Sequence, residues 1–209
     1  MAVGTFVVGT DAFVMAGVLP DVAGALRISL ASAGQIISVF SVAYALLSPV
    51  LAALTANWTR RVVLVTALSV FAAGNMATAL APSYAWVLAA RIVAAAGAAM
   101  FTPNASAIAA DLAGMAGRGK AIAVVTSGLT ASLVLGAPLG TAIGNTLGWR
   151  ATMWFVTALA VLVVPAIAIR LPAIEPVAPV ALSQRLAPLA DRRVMMGLTG
   201  TVLVFTGIY

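Results

Sequence analysis

Two residues stand out for the chemistry they could do. Asp11 and Arg91 are each the single charge in a long apolar run, Met1–Leu19 and Ala85–Ala110 respectively. An Asp or Arg at mid-membrane costs about 2.5–3.5 kcal/mol on insertion scales, so such residues face a bundle interior or a wet cavity. Asp11 lies nine residues before Pro20, and Arg91 lies eight residues after Ser83. At 1.5 Å of rise per residue both fall roughly 12–14 Å below the same outer surface, which is consistent with a direct or water-bridged pair. Two roles fit such a pair. It is either a clasp between helices, or a carboxylate that loads a proton or contacts substrate while the guanidinium sets its pKa. Arginine does not deprotonate, so Asp11 is the member that can switch.

The elements that must position these two are membrane spans. Of 209 residues, 63% are apolar and 8% charged, against about 25% charged in an ordinary soluble domain. Mean hydropathy is +1.14. Besides the two runs above, Gly34–Ala56, Val62–Ala81, Ala121–Leu147 and Ala151–Ile169 carry no charge at all. Each is about the 20 residues that a helix needs to cross a bilayer core. The expected fold is therefore an all-α membrane protein: a six-helix bundle over residues 1–170, a linker over 171–193 rich in proline, and the start of a seventh helix over 194–209. The first run lacks a basic start and ends in Leu19-Pro20-Asp21, unlike a signal peptide.

Lysine and arginine set the orientation. Arg60, Arg61, Arg118, Lys120, Arg170, Arg185, Arg192 and Arg193 fall in alternate connections, and only Arg27 and Arg150 in the others. The positive-inside rule places the N-terminus and the loops at 57–61, 111–120 and 170–193 in the cytoplasm. Pro49 and Arg61 lie 12 apart, as do Pro138 and Arg150. The offset between the two pairs spans an odd number of helices, as in two inverted three-helix repeats.

Composition also excludes functions. There is no Cys and no His, so thiolate metal sites, disulfides and the usual general base are absent. No metal, cofactor or enzymatic role is expected, and no nucleic-acid partner. The lipid bilayer and a small-molecule substrate are the expected partners.

Further side chains suggest a passage. In the fifth span Gly128, Ser132, Gly136, Gly140 and Gly144 recur every four residues, a face that lets another helix backbone come close. Pro138 within it should bend the helix. Ser38, Ser41, Tyr44 and Ser48 form a stripe on the second span, able to line a cavity or to bond back to their own helix. Met15 and Val18 continue the Asp11 face, and Thr102 shares the Arg91 face, as further cavity-lining candidates.

These stretches together resemble the major facilitator superfamily, and within it the twelve-helix drug:proton antiporter branch of sugar-efflux and chloramphenicol-resistance-type exporters. Thr10-Asp11-Ala12-Phe13 with Gly17-Val18-Leu19-Pro20 is similar to the branch's first-helix motif, and Arg91 with Gly97 to its fourth-helix motif. Gly128 through Gly136-Ala137-Pro138-Leu139-Gly140 is similar to the antiporter motif, and Gly148-Trp149-Arg150 to the start of the sixth helix. The loop between the second and third spans departs from the pattern: Ala52 and Ala56 stand where glycine and aspartate are expected, while the basic pair Arg60-Arg61 survives. A cytoplasmic charge lock would then rest on Arg60 or Arg61 meeting Asp111, which could equally be a solvated loop acid.

The resemblance implies proton coupling through Asp11 and Arg91, a cavity lined by the first, second, fourth and fifth helices, and a second six-helix half beginning at Val194. It implies efflux of small amphipathic compounds such as drugs, sugars or nucleobases across a bacterial inner membrane, with the proton gradient as energy source. Alternatives are an importer or uniporter of the same superfamily, or a non-transporting remnant or assembly partner.

Overall fold

In the computed structural model the described residues are 1–171, 191, 192, 194–197, 199 and 200. They are almost wholly helical: α1 Ala2–Leu26, α2 Leu30–Leu54, α3 Arg60–Ala79, α4 Tyr84–Ala131, a π-helical turn Ser132–Gly136, α5 Ala137–Leu147 and α6 Trp149–Arg170. Of the linker expected over 171–193, residues 172–190 and 193 lie outside the described residues, as do 198 and 201–209 of the expected seventh helix. Of the seventh run, residues 194–197, 199 and 200 are helical. Thr199 Oγ1 donates to Met195 O at 2.8 Å there.

Five continuous helical stretches are long and apolar enough to cross a membrane, and one of them, Tyr84–Leu147, is 64 residues long. It makes two passages. At Gly114 the backbone adopts φ 66°, ψ −178°, a conformation open to glycine because it has no Cβ. The arm before Gly114 brings Phe101 to Gly4 and Arg91 to Asp11. The arm after it sets Gly128 beside Ala2, Gly136 beside Thr10 and Gly144 beside Val18. The first arm thus descends α1 as the second ascends it, so residues 1–171 make six passages as expected.

Three boundaries differ from the sequence expectation. The loop expected at 111–120 is helical except at Gly114. Ala113 and Met115, both good helix formers, flank this glycine, and one residue suffices to turn the chain. The first span was expected to end at Leu19-Pro20, yet α1 continues to Leu26, with Pro20 inside it. Ending a helix there would strip four carbonyls of partners in apolar surroundings, a greater cost than the single bond that proline omits. The matched-depth arithmetic for Asp11 and Arg91 therefore does not hold, although their pairing does. Finally, the bend expected at Pro138 is a π-helical turn at Ser132–Gly136, just before Pro138 in the first turn of α5. The wider turn accommodates a ring that would otherwise strike the carbonyl four residues back.

Caps fix the starts of α2 and α4. Ser29 accepts from the Ser32 amide at 3.0 Å to start α2, and Ser83 from Trp86 at 3.4 Å to start α4. Tyr84 donates to Ser32 O at 2.8 Å, joining α4 to α2. Arg150 donates to Ala81 O at 2.9 Å, joining α6 to the turn between α3 and α4. α1 packs against α2, α4, α5 and α6, and α3 lies between α4 and α6.

Candidate functional site: a buried ion pair shared by four helices

Asp11 and Arg91 meet inside this bundle. Arg91 Nη1 donates to Asp11 Oδ1 at 2.7 Å and to Oδ2 at 2.9 Å. Asp11 is 0% exposed and Arg91 1%. Two more helices complete the setting. Asn75 on α3, fully buried, presents Oδ1 at 3.5 Å from the same Nη1, while its Nδ2 donates to Phe71 O at 3.1 Å. Phe40 on α2 lies under the guanidinium, whose central carbon is 4.3 Å from the ring centroid. Tyr44, one turn further along α2, stacks on Phe40 at 6.4 Å. The guanidinium therefore draws on a carboxylate, an amide and a ring face, one each from α1, α3 and α2.

The geometry is not the two-pronged fork that makes the strongest arginine–carboxylate pairs. A single nitrogen serves both carboxylate oxygens, and Arg91 Nε has no acceptor among the described residues. A buried donor without a partner costs about 1–3 kcal/mol. Such a pair is tight in charge and loose in hydrogen bonding.

Its surroundings are closely built. Gly97 sets the α4 backbone against Phe71 and Ala67 of α3, and a Cβ at Gly74 would strike Ala94. On the other side of α1 the fifth-span ladder behaves as the spacing suggested. Side chains added at Gly128, Gly136, Gly140 and Gly144 would strike Ala2 and Thr5, Thr10, Val14, and Val18 in turn. Ser132 fills the gap in the ladder and abuts Gly9. Thr152 of α6 donates to Gly140 O at 2.9 Å.

At the start of α3 Arg60 Nη2 bonds Asp111 Oδ2 at 2.6 Å, so the structure brings together the two ends of the charge lock considered from sequence. The side chains are 14% and 52% exposed. Arg61 is exposed.

The cavity-lining candidates scatter. Ser38 borders a groove of about 490 Å³ with Gln35, Val42, Leu46 and Ile92. Ser41 is exposed, and Tyr44 and Thr102 are half-buried. Met15 and Val18 are 1% and 0% exposed and line no open space. Val18 is taken up by the glycine ladder, where a Cβ on Gly144 would come within 2.5 Å of it. A larger cleft, about 720 Å³, lies between α1, α3 and α6, among Phe6, Leu64, Leu159 and Arg170.

Two site residues went unread in the sequence. Asn75 is the lone carboxamide in an uncharged span, the same kind of signal that singled out Asp11 and Arg91, at lower cost. Phe40 carried no signal, since a ring beneath a cation looks like any core aromatic until the fold is known.

The model of the Major Facilitator Superfamily matches residues 1–209. An uncharacterized MFS-type transporter of Bacillus subtilis, YbcL, is 42% identical over 96% of this chain and 52% of its own length. A chloramphenicol resistance protein of Streptomyces lividans is 38% identical over 79% of this chain and 42% of its own. The inner membrane transport protein YdhP of Escherichia coli K12 is 30% identical over 97% and 52%. The chain spans about half the length of the curated relatives it matches. Among solved structures, the peptide transporter POT in complex with sulfate superposes with a TM-score of 0.72 at 15% identity, covering 100% of this chain and 46% of that one. The fold and the relatives agree, and the chain belongs to the major facilitator superfamily.

Proposed function

We propose that this chain is the N-terminal half of a proton-coupled exporter of small amphipathic compounds, in which Asp11 carries the proton. The observation that carries the reading is the fully buried Asp11–Arg91 pair. A proton arriving at Asp11 turns the carboxylate into a neutral acid and leaves Arg91 with its charge. The attraction that draws α1 and α4 together is then lost at that point. In low-dielectric surroundings this is a large local change in energy for one proton. Rigid-body motion of this bundle against a second six-helix half would convert it into alternating access. The N-terminus and the end bearing Arg60, Arg61, Arg118, Lys120 and Arg170 face the cytoplasm in this reading, in a bacterial inner membrane.

Export rather than import is favoured by the glycine–proline ladder and by the Streptomyces relative, whose name is a resistance function. The Arg60–Asp111 pair holds the inner ends of α3 and α4 together and is the cytoplasmic gate of this scheme. Ser38, Ser41, Tyr44 and Thr102 are its substrate-facing candidates.

The test is drug accumulation in cells carrying the full gene product, over a panel of amphipathic compounds, with and without an uncoupler. Wild type should lower accumulation of at least one compound, and the uncoupler should abolish that effect. Asp11→Asn, equally abundant in the membrane, should lose uncoupler-sensitive efflux at least tenfold. Undiminished efflux in that variant would remove Asp11 from the coupling.

A further inference from the structure

We propose that Asn75 is a positioning residue for Arg91, the acceptor that holds the guanidinium when Asp11 is protonated. This inference rests on the reading of Asp11 as the proton carrier and adds a second position for its partner.

Three observations place Asn75 in that role. Its Oδ1 is 3.5 Å from the Nη1 that also serves Asp11, so a small swing of the guanidinium shortens one contact as it lengthens the other. Its Nδ2 is committed to Phe71 O, which fixes the amide with its oxygen toward the arginine. Arg91 Nε lacks an acceptor among the described residues, so the guanidinium is not locked by a fork to the carboxylate. Phe40 adds a face that holds the cation in either position.

The charge setting is simple. Among the described residues α2 brings no ionised group, only the Tyr44 phenol. α3 carries charge only at Arg60 and Arg61 in its first turn, and α6 only at its terminal Arg150 and Arg170. α1 adds Asp21 near its outer end, and α4 adds Asp111, Arg118 and Lys120 at the inner end. Asp11 is thus the anion that Arg91 meets at this level, and Asn75 a neutral alternative beside it. An unpaired buried guanidinium is costly, so a ready acceptor lowers the cost of the protonated state.

The consequence is a pH dependence of opposite sign for two replacements at one position. Asn75→Leu removes the alternative, so Arg91 leans wholly on the carboxylate and a proton displaces it less readily. Asn75→Asp supplies a competing anion, so Asp11 is released more readily. Uncoupler-sensitive efflux of a compound identified with wild type, measured against pH, should show its midpoint displaced downward by about one unit in Asn75→Leu and upward by a similar amount in Asn75→Asp. Asn75→Gln should fall closer to wild type than either. Membrane abundance and melting temperature in detergent identify any variant that fails to fold, and the remaining variants then decide. Midpoints that coincide with wild type in the folded variants, while Asp11→Asn still loses coupling, would overturn the role of Asn75 alone. Full coupling in Asp11→Asn would instead overturn the reading beneath it.

Discussion

Asp11–Arg91 and Arg60–Asp111 are both aspartate–arginine pairs with nitrogen–oxygen distances of 2.7 and 2.6 Å. Both tie α4 to a neighbouring helix. The first lies where four helices meet and is 0–1% exposed; the second sits at the start of α3 with its carboxylate 52% exposed. The contact chemistry is the same, and the dielectric around it is not. In water the attraction between two ions is screened and each partner is readily solvated alone, so loss of one is mild. Inside the bundle neither ion has that alternative, so the charge state of one dictates the energy of the other. A pair of the second kind can hold a gate shut or let it go. A pair of the first kind can transmit the arrival of a proton.

The sharpest way to break this contrast is to remove one partner of each. Arg91→Leu leaves the Asp11 carboxyl buried without its cation and should destabilise the folded protein by about 3–5 kcal/mol. A large fall in melting temperature in detergent would be the sign. Should its melting temperature match wild type, the buried pair contributes no more than a surface pair, and the comparison fails.

Asp111→Asn should cost under about 1 kcal/mol, because Asp111 is half in solvent and Arg60 can be hydrated. Salt refines this. Raising ionic strength to about 1 M shortens the screening length to about 3 Å and should erase most of the difference between Asp111→Asn and wild type. The same salt should leave the deficit of Arg91→Leu nearly unchanged. Equal salt sensitivity for both variants would mean that water reaches the buried pair.

How much of this was legible in the sequence depended on what each signal costs the chain. Charges in apolar runs are expensive, so Asp11 and Arg91 announced themselves; the Arg60–Asp111 pair was legible only through the resemblance, as Arg60 or Arg61 meeting an acid that could equally have been solvated. The glycine ladder was equally legible, because small residues every fourth position have one geometric consequence. Boundaries were less so. Pro20 reads as a stop in a soluble helix, but in apolar surroundings carrying on to Leu26 is cheaper than exposing carbonyls. Gly114 looked like one residue of a ten-residue loop, whereas it turns the chain almost alone. Met15 and Val18 were assigned to the passage because they follow Asp11 on the helix. The bundle surrounds α1 on several sides, so that face is consumed by packing. Asn75 and Phe40 needed the fold, since nothing in their spacing says which helix crosses Arg91.

The central claim is that the Asp11 carboxyl takes up a proton where it lies. Among the described residues it is the one buried carboxylate; Asp21, Asp111 and Asp191 are exposed. Infrared titration of the full gene product, with the Asp11→Asn spectrum subtracted at each pH, isolates that single group. The account predicts a protonated-carboxyl band in the wild-type spectrum that grows on acidification within the pH range over which efflux is coupled, and that is missing from the variant. A difference spectrum showing Asp11 ionised throughout that range would contradict it.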